Sequence, residues 1–113
     1  MTDPRIKVLK IKTGVVKRLT KEKICYEKEA DQQKERIQKY KDEGKDDADI
    51  NKQNEVLQES LAMIIDCQRR LSKAFQELET ILKDEEDLKE TEEYIAAIQI
   101  LEDAKPVLNS YRY

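Results

Sequence analysis

The chain has no histidine or tryptophan, and only two glycines, two prolines, two cysteines and one phenylalanine among 113 residues. Each scarcity removes a class of answer. Without histidine, neither a Cys₂His₂ metal site nor a histidine-dependent triad can be built. Cys25 and Cys67 stand far apart in no metal-ligand spacing. Each is expected to be a small buried thiol rather than a nucleophile. No glycine-rich loop is available to cradle a phosphate. No apolar run reaches membrane-spanning length and no secretory leader is recognisable, so a reducing cytoplasm is the expected compartment. So few turn-forming residues also argue against a sheet, which needs many tight turns.

What is abundant is charge. Charged residues make up 42% of the chain and hydrophobic residues 38%, a balance that suits thin helices exposing most of their surface. The net charge is only −3, but it is unevenly placed. Residues 1–28 hold nine Lys or Arg against three acids, and residues 77–103 hold eleven acids against Lys83 and Lys89. Either the two ends neutralise each other within the fold, or they present two kinds of partner surface.

The apolar residues recur with helical spacing. Leu57, Leu61, Ile64, Gln68, Leu71, Phe75, Leu78 and Leu82 step by four and three alternately, and Val56, Ser60, Met63, Cys67, Ala74 and Ile81 form a second stripe beside them. Two stripes predict a middle helix with two neighbours, over about 48–83. A first helix is predicted over about 4–42, capped by Asp3 or Thr2 with Pro4 in its first turn. Its expected stripe is Val8, Ile11, Val15, Leu19, Tyr26, Ala30, Gln33, Ile37 and Tyr40. Gly44 suits the left-handed end of that helix, and Asp46, Asp47 or Asp49 suits the start of the next. A third helix is expected over about 88–105 on Leu88, Thr91, Ile95, Ile98 and Leu101, flanked by Tyr94, Ala97 and Ala104, and capped by Asp84 or Asp87. Pro106 should end it nearby. The segment 106–113 is read as a tail that could dock or fray.

The predicted fold is therefore all-α. It is an elongated up-down-up three-helix bundle, in one domain over 1–113, with two long antiparallel helices and a shorter third. The short third helix covers only half of the hairpin. The far end, around Tyr40 and Ile50, is left two-stranded. It is a candidate interaction surface or a polar tip that needs no partner. A monomer and a homodimer both remain open. Carboxylates are plentiful but sit on solvated faces, and thin bundles offer no pocket to tune them. No catalytic residue, cofactor or metal is expected. Nucleic acid is not expected on the basic start, because no aromatic residue is interleaved before Tyr26. Arg69 and Arg70 follow Asp66 by one turn, so they either pair with it or offer a fork to partner carboxylates.

Five motifs occur in order: Ile11-Lys-Thr-Gly-Val-Val-Lys-Arg-Leu19, Tyr26-Glu-Lys-Glu-Ala30, Leu57-Gln-Glu-Ser60, Asp66-Cys-Gln-Arg-Arg-Leu71 and Glu92-Glu-Tyr94. Together they closely resemble the tubulin-specific chaperone A family, also called tubulin-folding cofactor A, across about residues 3–104. Two departures stand out: Ile65 occupies a place where the family commonly has proline, so the helix is expected to be straighter there, and the tail after Lys105 differs. The resemblance implies a non-enzymatic three-helix bundle. Such a bundle captures β-tubulin after the cytosolic chaperonin and passes it towards other tubulin-folding cofactors for assembly of the α/β heterodimer, using no nucleotide. On that basis Lys12, Lys17, Arg18, Glu27, Glu59, Arg69 and Arg70, the members of these motifs expected to be exposed, are candidate partner-binding residues. The alternative reading is a generic coiled-coil dimerisation or scaffold module with no tubulin specificity.

Overall fold

Asp3 starts the first helix by accepting the Arg5 backbone N–H at 2.9 Å, with Pro4 following in a position that needs no donor. The helix, α1, runs Pro4–Asp42. The computed structural model describes residues 3–110; Thr2 as an alternative cap, and docking by Tyr111 or Tyr113, lie outside the described residues. Gly44 closes α1 at φ 71°, a left-handed value that a side chain would strain. Asp46 then accepts the Asp49 N–H at 2.9 Å and opens α2, Asp47–Asp84. A single 3-10 turn, Glu86–Leu88, leads to α3, Glu92–Leu108. Among the described residues there is no strand, and the body measures 65 × 19 × 19 Å. No described helix is long and apolar enough to cross a membrane.

The all-α, up-down-up architecture is as expected, but several local expectations are corrected. The third helix starts later than residue 88, because Leu88 is buried as a plug in the turn. Its cap is Thr91, whose hydroxyl donates to the Leu88 carbonyl at 2.7 Å and accepts the Tyr94 N–H at 3.2 Å; Asp84 ends α2 instead, and Asp87 lies in the 3-10 turn. Pro106 does not end the helix, which continues to Leu108. The carbonyl deprived of a donor by Pro106 belongs to Glu102, an exposed residue that water can serve.

The buried faces are also shifted from those the spacing suggested. On α1 the central line is Leu9, Val16, Lys23, Ala30 and Ile37, while Val8 and Ile11 are 48% and 55% exposed. The reason is that α1 faces two neighbours at once, so the positions one residue further on take the middle of the seam. On α3 the core face is Tyr94, Ala97, Leu101, Ala104 and Leu108, with both alanines fully buried; Ile95 and Ile98 point outward. The small alanines let α3 approach the long pair closely. On α2 the apolar members of the main stripe are buried from Ile64 to Leu82, and Leu57, Leu61 and Gln68 are half-buried. Val56 and Met63, on the second stripe, are exposed. Cys67 is buried as expected, but Cys25 is exposed. Ile65 is solvent-facing on an unbroken helix.

The third helix stops where Lys23 and Gln68 meet its end. Gln68 donates to the Leu108 carbonyl at 2.8 Å, and Lys23 donates to those of Val107 and Ser110. Beyond that level α1 and α2 continue alone. There the buried Gln33 donates at 2.9 Å to both the backbone and the side-chain oxygen of Gln53. The basic start and the acidic turn do neutralise each other in part: Arg5 reaches Glu85 at 2.6 Å and Asp87 at 2.9 Å.

Candidate functional site

The α1–α2 pair has two long sides, and α3 fills only one. Lys17, Thr20 and Lys21 of α1 line the crease with α3, beside Ile100 and Asp103. Val15, Arg18 and Leu19 line a depression shared only with α2, beside Arg70, Lys73, Ala74 and Glu77. Val15 and Thr20 are five residues apart, roughly 140° around a helix, so the two creases lie on opposite sides of the pair. A second depression continues the first along α2, lined by Lys12, Lys73, Gln76, Glu77, Thr80 and Ile81. Together they form an open groove on the side away from α3.

The groove combines an apolar floor with basic walls. Val15 and Ile81 are half-buried, and Val8 and Ile11 continue the Val15 strip along the outer edge of α1 at helical spacing. Thus Val8 and Ile11, which periodicity assigned to the core, form an uncovered edge instead, while Leu19, Ala30, Gln33 and Ile37 of the same stripe are buried. Above them Lys12 pairs with Glu77 at 3.3 Å, and Arg18 with Glu22 at 3.0 Å. Asp66 takes both Arg69, at 3.0 Å, and Arg70, at 3.1 Å. These pairs are exposed, so each contributes little to stability and can be exchanged for a partner's carboxylate.

Of the seven sequence candidates, the structure brings Lys12, Arg18 and Arg70 to this groove. Arg69 stands on its rim with 80% of its side chain exposed. Lys17 lies in the other crease, against α3. Glu59 is exposed on α2, two turns before Asp66. Glu27, expected to be exposed, is buried and faces the still more deeply buried Lys23 at 3.6 Å. It is a structural counter-ion, because an ammonium in the seam needs an anion beside it. Sequence reasoning missed Lys73, which borders both depressions; its only signal was its place three residues after Arg70 on the same helix face. Among the described residues no group of three His, Cys, Asp or Glu side chains could hold a metal ion.

The family model described as tubulin binding cofactor A matches residues 4–101. The human protein named tubulin-specific chaperone A is 56% identical over 105 residues, covering 93% of this chain and 97% of that protein. The tubulin-folding cofactor A of Arabidopsis thaliana is 41% identical over 87 residues, 77% of each chain. Two solved structures share the fold. Human tubulin chaperone cofactor A superposes with a TM-score of 0.81 at 54% identity, over 90% of this chain and 99% of that one. The Arabidopsis crystal structure gives 0.83 at 38% identity, over 90% and 96%.

Proposed function

The chain belongs to the tubulin binding cofactor A family, and from that premise we propose that it is a cytoplasmic chaperone that captures β-tubulin monomers. The family's role is non-enzymatic, and its members are named as chaperones and folding cofactors. In the proposed cycle the chain holds β-tubulin after release from the chaperonin. It then yields it to other tubulin-folding cofactors during assembly of the α/β heterodimer. Capture is a matter of shape and charge: a rigid helical surface shields an incomplete monomer, and no nucleotide or covalent step is involved.

The observation that carries this reading is the open α1–α2 side, where an apolar strip and a set of arginines and lysines stand uncovered on a helical body. Rigid helices suit such a task because little ordering entropy is lost on binding. Lys12, Arg18, Arg69 and Arg70 are the proposed contacts on this side, with Lys17 and Glu59 contributing outside the groove.

Reversing both arginines, Arg69→Glu and Arg70→Glu, tests the proposal. Both side chains are largely exposed, so helicity and melting should persist with a loss of about 0.5 kcal/mol for each like-charge pair created with Asp66. Sedimentation with purified tubulin should show weaker capture than the unmodified chain. Undiminished capture would remove these residues from the surface. Strong self-association with no tubulin bound would favour a scaffold module instead.

A further inference from the structure

The groove carries an imbalance that its ion pairs leave in place. In the ion pairs of the described residues, Lys12, Arg18, Arg69 and Arg70 share just three carboxylates, Glu22, Asp66 and Glu77. None of the ion pairs among the described residues engages Lys73. It is exposed, it borders both depressions, and Arg70 one turn away adds a like charge. A positive field over an apolar floor selects a partner with carboxylates above an apolar edge.

The shape narrows the choice further. The opposite crease of the same two helices is filled by a helix, α3, so a second helix on the vacant side would complete a four-helix arrangement. The apolar strip from Val8 to Val15, extended to Arg18, covers eleven residues, a span of about 15 Å, which matches roughly three turns of a docked helix. Resting on the reading of this side as the tubulin-binding surface, we infer that the α1–α2 groove seats a carboxylate-rich amphipathic helix of the partner protein. Its apolar side rests on Val15 and Ile81, and its carboxylates approach Lys73 and Arg70.

A second copy of this chain offers similar chemistry on the outside of α3, where Ile95 and Ile98 are exposed near Glu92 and Glu102. That face lies on the opposite side of the body from the groove. Copies joined in this way would meet through two different faces rather than about the two-fold axis that most oligomers use, so the proposal commits to a different protein.

The probe is a stapled helical peptide of about three turns, with leucines on one side and glutamates on the other, beside a counterpart carrying lysines. Fluorescence anisotropy should show the glutamate peptide bound, the lysine peptide unbound, and binding weakened by salt. The double variant Arg70→Glu, Lys73→Glu, with unchanged helicity and melting, should lose about tenfold or more in affinity for the glutamate peptide. It should also lose tubulin capture in parallel. A glutamate peptide that fails to bind, or binds the variant equally well, overturns the proposal. So does tubulin capture that survives the loss of peptide binding, or growth of the chain alone into oligomers that the variant abolishes. A wild-type chain that binds the glutamate peptide through Lys73 but captures no tubulin supports the groove chemistry and overturns the tubulin reading alone.

Discussion

The ammonium of Lys23 lies 2.6 Å from the carbonyl oxygen of Val107, eighty-four residues further along the chain. It also donates to Ser110 at 3.0 Å, and only 2% of its side chain is exposed. The last carbonyls of α3 have no intrahelical donor and carry the negative end of the helix dipole, so a buried cation is well placed there. Glu27 balances it from one turn away. Gln68 completes the clasp from α2.

Replacing Lys23 by methionine should therefore destabilise the bundle by about 3 kcal/mol, since it removes the cation from the Ser110 carbonyl and leaves the buried Glu27 carboxylate uncompensated. Urea denaturation measures the loss. Adding Glu27→Leu should recover part of it, because the stranded anion is then gone. A loss below about 1 kcal/mol for the single variant, or no recovery in the double, would show that the pair is incidental.

The two thiols report on the same clasp. Cys25 is exposed, whereas Cys67 is 3% exposed with its sulfur 3.4 Å from the Leu19 carbonyl. Burial pushes the Cys67 thiol up from its ordinary pKa, and nearby Glu22 and Asp66 add to this. The thiolate is the reactive form, so a disulfide reagent should label Cys25 quickly and Cys67 slowly. In the Lys23→Met variant the slow phase should quicken and the fast phase stay put. Because the folded value is raised, the protonated Cys67 stabilises the fold below the ordinary thiol range, and this is lost as pH rises through the folded value. Two equally fast thiols in the wild type would contradict the packing described.

Local chemistry was legible in the sequence where one residue decides the outcome. Gly44 acts as read, and Asp3 and Asp46 are each one of the caps the sequence offered, because a cap or a positive φ needs only its own side chain or lack of one. The Ile64–Leu82 stripe was legible because large apolar residues mark every step of it except Gln68. Lys23 was not, since a charge at the seventh-residue step after Leu9 and Val16 reads as solvent-facing until the end of α3 arrives to receive it. The α3 face was misread for the opposite reason: Ile95 and Ile98 are louder than the alanines that actually pack. In the groove, Arg18 and Arg70 were found through motifs, but Lys73 stands in none, and only the meeting of two helices gives it a role.

That misreading yields its own test. Ala97 is fully buried, so Ala97→Leu must force α3 away from the long pair and should cost about 1–3 kcal/mol. Ile95 is 58% exposed, and Ile95→Ser should change stability by no more than about 0.5 kcal/mol. Thermal melts of the two variants would reverse in order if the louder isoleucines formed the core.

The acidic and basic ends of the chain meet at Arg5, and this junction should respond to pH. Arg5 holds Asp3 at 2.8 Å, Glu85 at 2.6 Å and Asp87 at 2.9 Å, so one guanidinium ties the start of α1 to the turn before α3. Its side-chain hydrogen bond, and then its backbone N–H, hold the Asp3 carboxyl below the ordinary carboxylate range. A carboxyl lowered in the fold stabilises it above the unfolded value, and that contribution is lost as pH falls through the folded one. Melting temperature followed from neutral pH into acid should therefore drop further for the wild type than for Arg5→Gln. The two should converge once Asp3 is protonated. High salt at neutral pH should narrow the same gap, because the cluster is largely solvent-accessible. Parallel acid limbs for the two proteins would mean that the Arg5 cluster adds nothing to folding, and that the charge asymmetry is not neutralised at this junction.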